Sequence, residues 1–128
     1  MNKISKLPDA ELEVMRAIWA SKGAISTTEI RKILEHDKPY SVGALQTLLS
    51  RLEKRGFLLS YMQGKSKFFE SVFSEDEYLA FISSSFLSKL SRNSVTRLVA
   101  ALYESNSISE EDLDELDRYI ESKRHNGD

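Results

Sequence analysis

One change of period constrains this chain more than any other feature. From Ser41 to Arg55, leucines recur at 45, 48, 49 and 52, the i, i+3, i+4, i+7 spacing of one helix face. Gly56 follows as the natural C-terminal cap, and the pattern then turns extended. Residues 57–62 and 67–73 are rich in aromatic and β-prone side chains, and Gln63–Gly64–Lys65–Ser66 between them is a turn-forming cluster. The stretch reads as a helix running directly into a β-hairpin.

Two further helices precede it. The first is predicted from Asp9, as N-cap, to Ala20, with Leu12, Met15, Ile18 and Trp19 on one stripe and Lys22–Gly23 at its end. Ala24–Ile25 is short enough for only a stub strand. The second helix opens on Ser26–Thr27–Thr28–Glu29, a capping box, with Ile30, Ile33 and Leu34 as its buried face. Lys38–Pro39 stops it, because proline cannot continue a helix. Helix, helix, helix, hairpin is the order of a winged helix-turn-helix.

The remainder is predicted helical. Ser74–Glu75–Asp76–Glu77 is a second capping box, opening a helix to about Leu90 with Leu79, Ile82, Phe86 and Leu90 on one side. Arg92–Asn93 breaks it. Ser94 caps a short helix striped by Val95, Leu98, Val99 and Leu102. After the polar connector Ser105–Asn106–Ser107, Ser109 caps a last helix to about Ser122, with Leu113, Leu116 and Ile120 apolar. Glu110, Glu111, Asp112 and Asp114 complement the positive end of that helix. His125–Asn126–Gly127–Asp128 reads as a frayed tail. The fold class is therefore mainly α with a small β-hairpin. A winged-helix domain is expected over residues 1–73 and a helical segment over 74–128.

Charge supports this division. Residues 1–73 balance at +4 and residues 74–128 at −6, within a net charge of −2. A basic half suits a polyanion, and an acidic half suits a segment held away from it. Cysteine is absent, which excludes disulfides, thiolate metal sites and cysteine nucleophiles together. With only His36 and His125, a histidine-based metal or catalytic centre has few parts. No P-loop, Ser/His/Asp grouping or catalytic carboxylate pair stands out, so no enzyme, cofactor or metal is expected. The two early lysines have no apolar run behind them, and no 18-residue apolar run exists, so the expected location is cytoplasmic, without membrane insertion.

The third helix carries the candidate chemistry. Its leucines pin it to the body and leave Gly43, Ala44, Gln46, Thr47, Ser50, Arg51 and Lys54 outward. Such a face fits a major groove. Gln46 can pair bidentately with an adenine edge, and Thr47 can reach a base or phosphate. Arg51, Lys54 and the hairpin's Lys65 and Lys67 offer phosphate contacts. The helix N-termini at Ser26, Thr27 and Thr28 and at Ser41 can point amides at phosphates. Winged helices also serve as protein-interaction modules, and an outward polar face is what any solvated helix shows. Trp19, Tyr61, Phe68 and Phe69 are expected in packing, His36 at a helix C-terminus, and the 110–117 acids in capping. Leu98, Val99, Leu102, Leu113, Leu116 and Ile120 are many apolar side chains for two short helices, and a two-fold partner would bury them.

The residues also carry a resemblance. Leu12–Glu13–Val14–Met15–Arg16–Ala17–Ile18–Trp19, then Tyr40–Ser41, then Thr47–Leu48–Leu49–Ser50–Arg51–Leu52–Glu53–Lys54–Arg55–Gly56–Phe57 resemble the penicillinase-repressor (BlaI/MecI/CopY-like) family of winged-helix transcriptional regulators. The likeness spans about residues 7–122. It implies a homodimeric repressor of antibiotic-resistance genes that binds double-stranded dyad operators. A membrane sensor-protease is implied as a further partner, with release by cleavage in the dimerisation segment. The aligned bond here is Ala101–Leu102, where the family usually has Asn-Phe. Better-known members carry Lys, Thr and Arg at the positions of Gly43, Ala44 and Gln46, so fewer charged contacts and a different operator are expected. The cysteine cluster of copper-responsive members is missing.

Overall fold

The computed structural model describes residues 3–36, 39–90 and 94–126, with Asn126 by its backbone alone. Lys38, Arg92–Asn93 and Gly127–Asp128, expected as breakers and chain end, lie outside the described residues. Along the chain run α1 (Asp9–Ala20), β1 (Ile25–Ser26), α2 (Thr27–Leu34), α3 (Val42–Lys54), β2 (Leu58–Gln63), β3 (Ser66–Ser71), α4 (Glu75–Lys89), α5 (Val95–Glu104) and α6 (Glu110–Asn126). Most of the chain is helical. Two compact units result, Met1–Ser85 and Phe86–Asp128, so packing divides the chain inside α4, whereas the expected domain boundary lies between residues 73 and 74.

The first unit is a winged helix. Val14, Met15, Ala17 and Ile18 of α1, Ile30 and Leu34 of α2, and the four α3 leucines form its core with Ile25, Phe57, Leu58 and Phe69. The α3 stripe is buried as its spacing requires. α2 keeps the expected capping box: Ser26 Oγ accepts from the Glu29 amide at 3.2 Å, and Glu29 Oε1 accepts from the Ser26 amide at 3.3 Å. Ile33, expected in the core, is 41 % exposed, because this eight-residue helix buries only its Ile30/Leu34 line. In α1, Pro8 rather than Asp9 is the N-cap. The Pro8 carbonyl accepts from the Leu12 amide at 2.9 Å, and Asp9 is the first helical residue, its charge still favourable there.

The expected stub strand pairs into the sheet. β1 adds antiparallel to β3, with Ile25 opposite Phe69 and Ser26 opposite Phe68, so the sheet has three strands in the order β1-β3-β2. The β2–β3 register runs from Leu58 opposite Ser71 to Gln63 opposite Ser66. Its two-residue loop turns at Gly64, whose φ of 64° is strained for a residue with a Cβ.

The start of α4 completes this core. Ser74 and Glu77 cap each other, as expected. The buried residue, however, is Tyr78, while Leu79 is 60 % and Phe86 50 % exposed. Tyr78 lies between Trp19 and Phe57 (ring centroids 5.7 and 5.8 Å), and its hydroxyl accepts from the Leu7 amide at 2.9 Å. Trp19 Nε1 donates to the Phe73 carbonyl at 2.8 Å. An aromatic body with a polar tip suits a site that is apolar at one end and needs an acceptor at the other.

The second unit contrasts with the first. None of its described residues is buried. α5 ends in a Schellman arrangement: the Ser107 amide reaches the Leu102 carbonyl at 2.8 Å and the Asn106 amide the Tyr103 carbonyl at 3.1 Å, with Asn106 at φ 61°. Ser109 and Asp112 then cap each other. α6 continues past the expected end at Ser122 into the residues expected to fray. His125 lies 3.2 Å from Glu121 one turn earlier, and Lys123 and Arg124 occupy the electronegative end of the helix. Among the described residues, no helix is long and apolar enough to cross a membrane.

Candidate nucleic-acid interface

α3 is held on one side and open on the other. Leu45, Leu49 and Leu52 are almost fully buried, Leu48 is 8 % exposed, and the Leu52 carbonyl accepts from the Phe57 amide as the chain leaves the helix. A helix anchored at four positions in two turns presents its other face at a fixed angle. Gly43, Ala44, Gln46, Thr47, Ser50, Arg51 and Lys54 are all exposed there. Gly43, Gln46, Thr47, Ser50, Arg51 and Lys54 line one shallow groove of about 360 Å³. Among the described residues, Arg51 and Lys54 form no ion pair. Thr47 Oγ1 donates to the Gly43 carbonyl at 3.0 Å, which leaves its lone pairs and methyl group outward. Gly43 has open space where a Cβ would stand.

The helix start is also organised. Ser41 is the N-cap, its Oγ accepting from the Ala44 amide at 3.1 Å. The preceding Tyr40 donates its hydroxyl to Glu13 Oε2 at 2.8 Å, tying the segment before α3 back to α1. Burial, reinforced by the Glu13 hydrogen bond and charge, pushes the Tyr40 phenol up to about 12. At the other end of α3, Arg55 Nε donates to Glu11 Oε1 at 2.6 Å, and the Glu11 side chain is 3 % exposed. The basic residue before Gly56 is thus the partner of a buried carboxylate. Nothing in the α1 stripe pointed to Glu11; only a charged residue at a core position of the helical period could have flagged it.

The remaining candidates divide. Thr28 is exposed and Thr27 half-buried at the start of α2, but Ser26 is buried and engaged in its capping box. Lys65 is exposed at the hairpin tip. Lys67 is exposed as well, its side chain at 48 %, with its Nζ 3.5 Å from Glu53 Oε1 and 5.5 Å from the centre of the Phe69 ring. Glu53 Oε2 also accepts from Ser60 Oγ at 2.9 Å. Sequence reasoning did not single out Glu53, whose partners lie on the hairpin. On the hairpin's other face Tyr61 and Phe68 stack across the strands with ring centroids 6.0 Å apart.

Known proteins resemble this arrangement. The family model described as "Penicillinase repressor" matches residues 7–122. The penicillinase repressor of Bacillus licheniformis is 32 % identical over 125 residues, covering 98 % of this chain and 97 % of that protein. The methicillin resistance regulatory protein MecI of Staphylococcus aureus is 29 % identical over 122 residues, covering 95 % and 98 %. The solution structure of the Bacillus licheniformis BlaI monomeric form in complex with the blaP half-operator superposes with a TM-score of 0.51 at 37 % identity. It covers 61 % of this chain and 94 % of that one.

Proposed function

The chain belongs to the penicillinase-repressor family, and from that premise we propose that it is a dimeric transcriptional repressor that binds a dyad operator through α3. The observation that carries this reading is the exposed row Gln46, Thr47, Ser50, Arg51 and Lys54 on a helix immobilised by four leucines. A helix of this width enters the major groove, where base pairs are distinguishable by their donor and acceptor patterns. Gln46 reads an adenine edge, Thr47 a base or phosphate, and Arg51 and Lys54 fix the register on the backbone. Lys65 reaches phosphate from the hairpin. Gly43 and Ala44 bring no charge, so more of the affinity rests on the dimer.

Dimerisation is assigned to the second unit. Leu102, Leu116 and Ile120 are 36, 36 and 41 % exposed, and Leu98, Val99 and Leu113 are half-buried. Phe86, Leu90, Leu98 and Ala101 also line an open groove of about 400 Å³ with Ser94 and Arg97. A two-fold partner covers this surface and couples two half-sites about one helical turn apart, or a multiple of it. Occupancy excludes RNA polymerase. Release follows loss of the dimer. A membrane sensor-protease cutting at Ala101–Leu102 is one route. That bond lies within α5, whose carbonyl at Ala101 accepts from the Ser105 amide at 3.0 Å, so α5 must unwind locally before a protease can hold the bond extended.

Selection from random duplexes, followed by salt titration of the winner, tests the reading. An inverted repeat bound with a log–log salt slope of about −7, for on the order of 8 phosphate contacts, is the expected result. A folded dimer that enriches no dyad and binds DNA weakly at every sequence would instead be a winged-helix protein-interaction module.

A further inference from the structure

Glu53 stands half-buried at the edge of the exposed face of α3, at i+7 from Gln46 and i+3 from Ser50, a carboxylate beside residues meant for a polyanion. Both of its oxygens are engaged on the hairpin. Oε2 accepts from Ser60 Oγ at 2.9 Å on β2, and Oε1 lies 3.5 Å from Lys67 Nζ on β3. Ser60 and Lys67 sit on one face of the hairpin, because Ser60 pairs with the buried Phe69 and Lys67 is two residues before it. The Lys67 ammonium also lies 5.5 Å from the centre of the Phe69 ring. One side chain of α3 therefore meets both long strands of the wing, and a wing cation that is 48 % exposed is paired with it.

Resting on the DNA-binding reading above, we propose that Glu53 is a positioning residue that fastens the wing to the recognition helix and withholds Lys67 from phosphate. The wing's tip cation is then Lys65 alone, exposed and without an ion pair among the described residues. Withholding Lys67 removes a sequence-independent contact. Phosphate contacts raise affinity for every duplex equally, whereas base-edge contacts distinguish one duplex from another. Glu53 thereby lowers the non-specific background against which Gln46 and Thr47 read bases, and it sets the angle between the helix and the wing.

The test uses the full-length chain and a random-sequence duplex titrated over a salt series. In Glu53→Gln the side-chain oxygen still accepts from Ser60, but the charge that holds Lys67 is gone. The expected result is several-fold tighter binding at low salt and a log–log slope steeper by about 0.9 per protomer, the signature of one added phosphate contact. Lys67→Gln alone should leave the slope unchanged, and Lys67→Gln in the Glu53→Gln background should abolish the gain. A purely structural role for Glu53 would not move the slope in this paired way. A shallower slope in Lys67→Gln alone would overturn the proposal, because Lys67 would already touch phosphate. An unchanged slope in Glu53→Gln would overturn it as well. Absence of salt-dependent duplex binding by the wild-type chain would overturn the DNA reading, and with it the part of the proposal that concerns DNA. The fastening is then judged by hydrogen exchange. Glu53→Ala should speed exchange of the hairpin amides several-fold while the α1 amides stay unchanged, and equal hairpin rates would overturn the fastening too.

Discussion

Two regions of one chain solve the burial problem in opposite ways. Residues 7–82 surround Phe57, Met15, Ile30 and the α3 leucines with side chains from three helices, the start of a fourth and a sheet. In Phe86–Asp128, two helices and the end of a third carry a similar supply of leucine, valine and isoleucine and bury none of it completely. Composition is therefore not what makes a core. A sheet and the helices packed on it close around a volume, whereas two helices can only cover each other's near sides. What the second unit leaves open is a surface suited to another molecule.

The largest expected effect would break this comparison if it failed. Phe57 is fully buried, in edge contact with Phe73 and Tyr78 at 5.0 and 5.8 Å. Phe57→Ala should cost about 3–5 kcal/mol, a large share of the roughly 5–15 kcal/mol that holds a domain folded. Leu116→Ala, at a 36 % exposed position, should cost the separated monomer under about 1 kcal/mol. Urea unfolding of both variants at concentrations low enough to hold the monomer measures the contrast. Similar losses would mean that the second unit has a core of its own.

The next effect sharpens the comparison from the other side. Leu98→Asp places a carboxylate on the apolar face proposed to meet a second copy. Sedimentation should show a dimer weakened by about 100-fold or more, about 2.7 kcal/mol, while thermal unfolding of the first unit stays unchanged. A dimer that survives this change would move the interface elsewhere on the chain.

Arg55 carries the third. Its side chain, 37 % exposed, is the partner of the buried Glu11. Arg55→Met keeps the length and removes the charge, leaving Glu11 without its cation. The cost should be about 2 kcal/mol, below the usual figure for a buried pair because Arg55 itself is partly hydrated. The double variant Glu11→Met/Arg55→Met should recover most of that loss in urea unfolding. A full loss in the double variant would show that the pair contributes through something other than charge compensation.

Legibility followed the range of the interactions. The α3 stripe, the capping boxes at Ser26/Glu29 and Ser74/Glu77, and the hairpin are local, each written within about a dozen residues, and they stand in the structure where their spacing placed them. The exposed row from Gly43 to Lys54 follows from the stripe, since residues not on the leucine side face away. What escaped was long-range. Whether Tyr78 or Leu79 packs inward depends on Trp19 and Phe57, which the helical period of α4 cannot register. β1 is a strand only because Phe68 and Phe69 lie beside it. Glu11 is buried because Arg55, 44 residues later, reaches it. Lys67 lies 3.5 Å from Glu53, a contact between hairpin and helix that neither local pattern contains.

The smallest expected effect concerns the segment that leads into α3. Tyr40 donates to Glu13, and its phenol, raised to about 12, stays neutral in the folded state well above the ordinary value of 10.0. The direction of the pH dependence follows. The unfolded chain ionises Tyr40 near pH 10, whereas the folded chain resists because burial disfavours the phenolate, which would also lose its hydrogen bond and face the Glu13 carboxylate. The stabilisation is fully present below about pH 10 and fades as pH rises toward 12. Tyr40→Phe removes both the bond and the titration, at about 1 kcal/mol for a partly exposed hydrogen bond to a charged acceptor. Wild type minus Tyr40→Phe, measured by urea unfolding at intervals from pH 8 to 12, should be constant at first and then shrink. A difference that grows above pH 10 would mean that Tyr40 is ionised in the folded protein and that another group holds its charge. A difference near zero throughout would mean that the turn before α3 is set by Ser41 and the leucines alone, with Tyr40 a bystander to the geometry it touches.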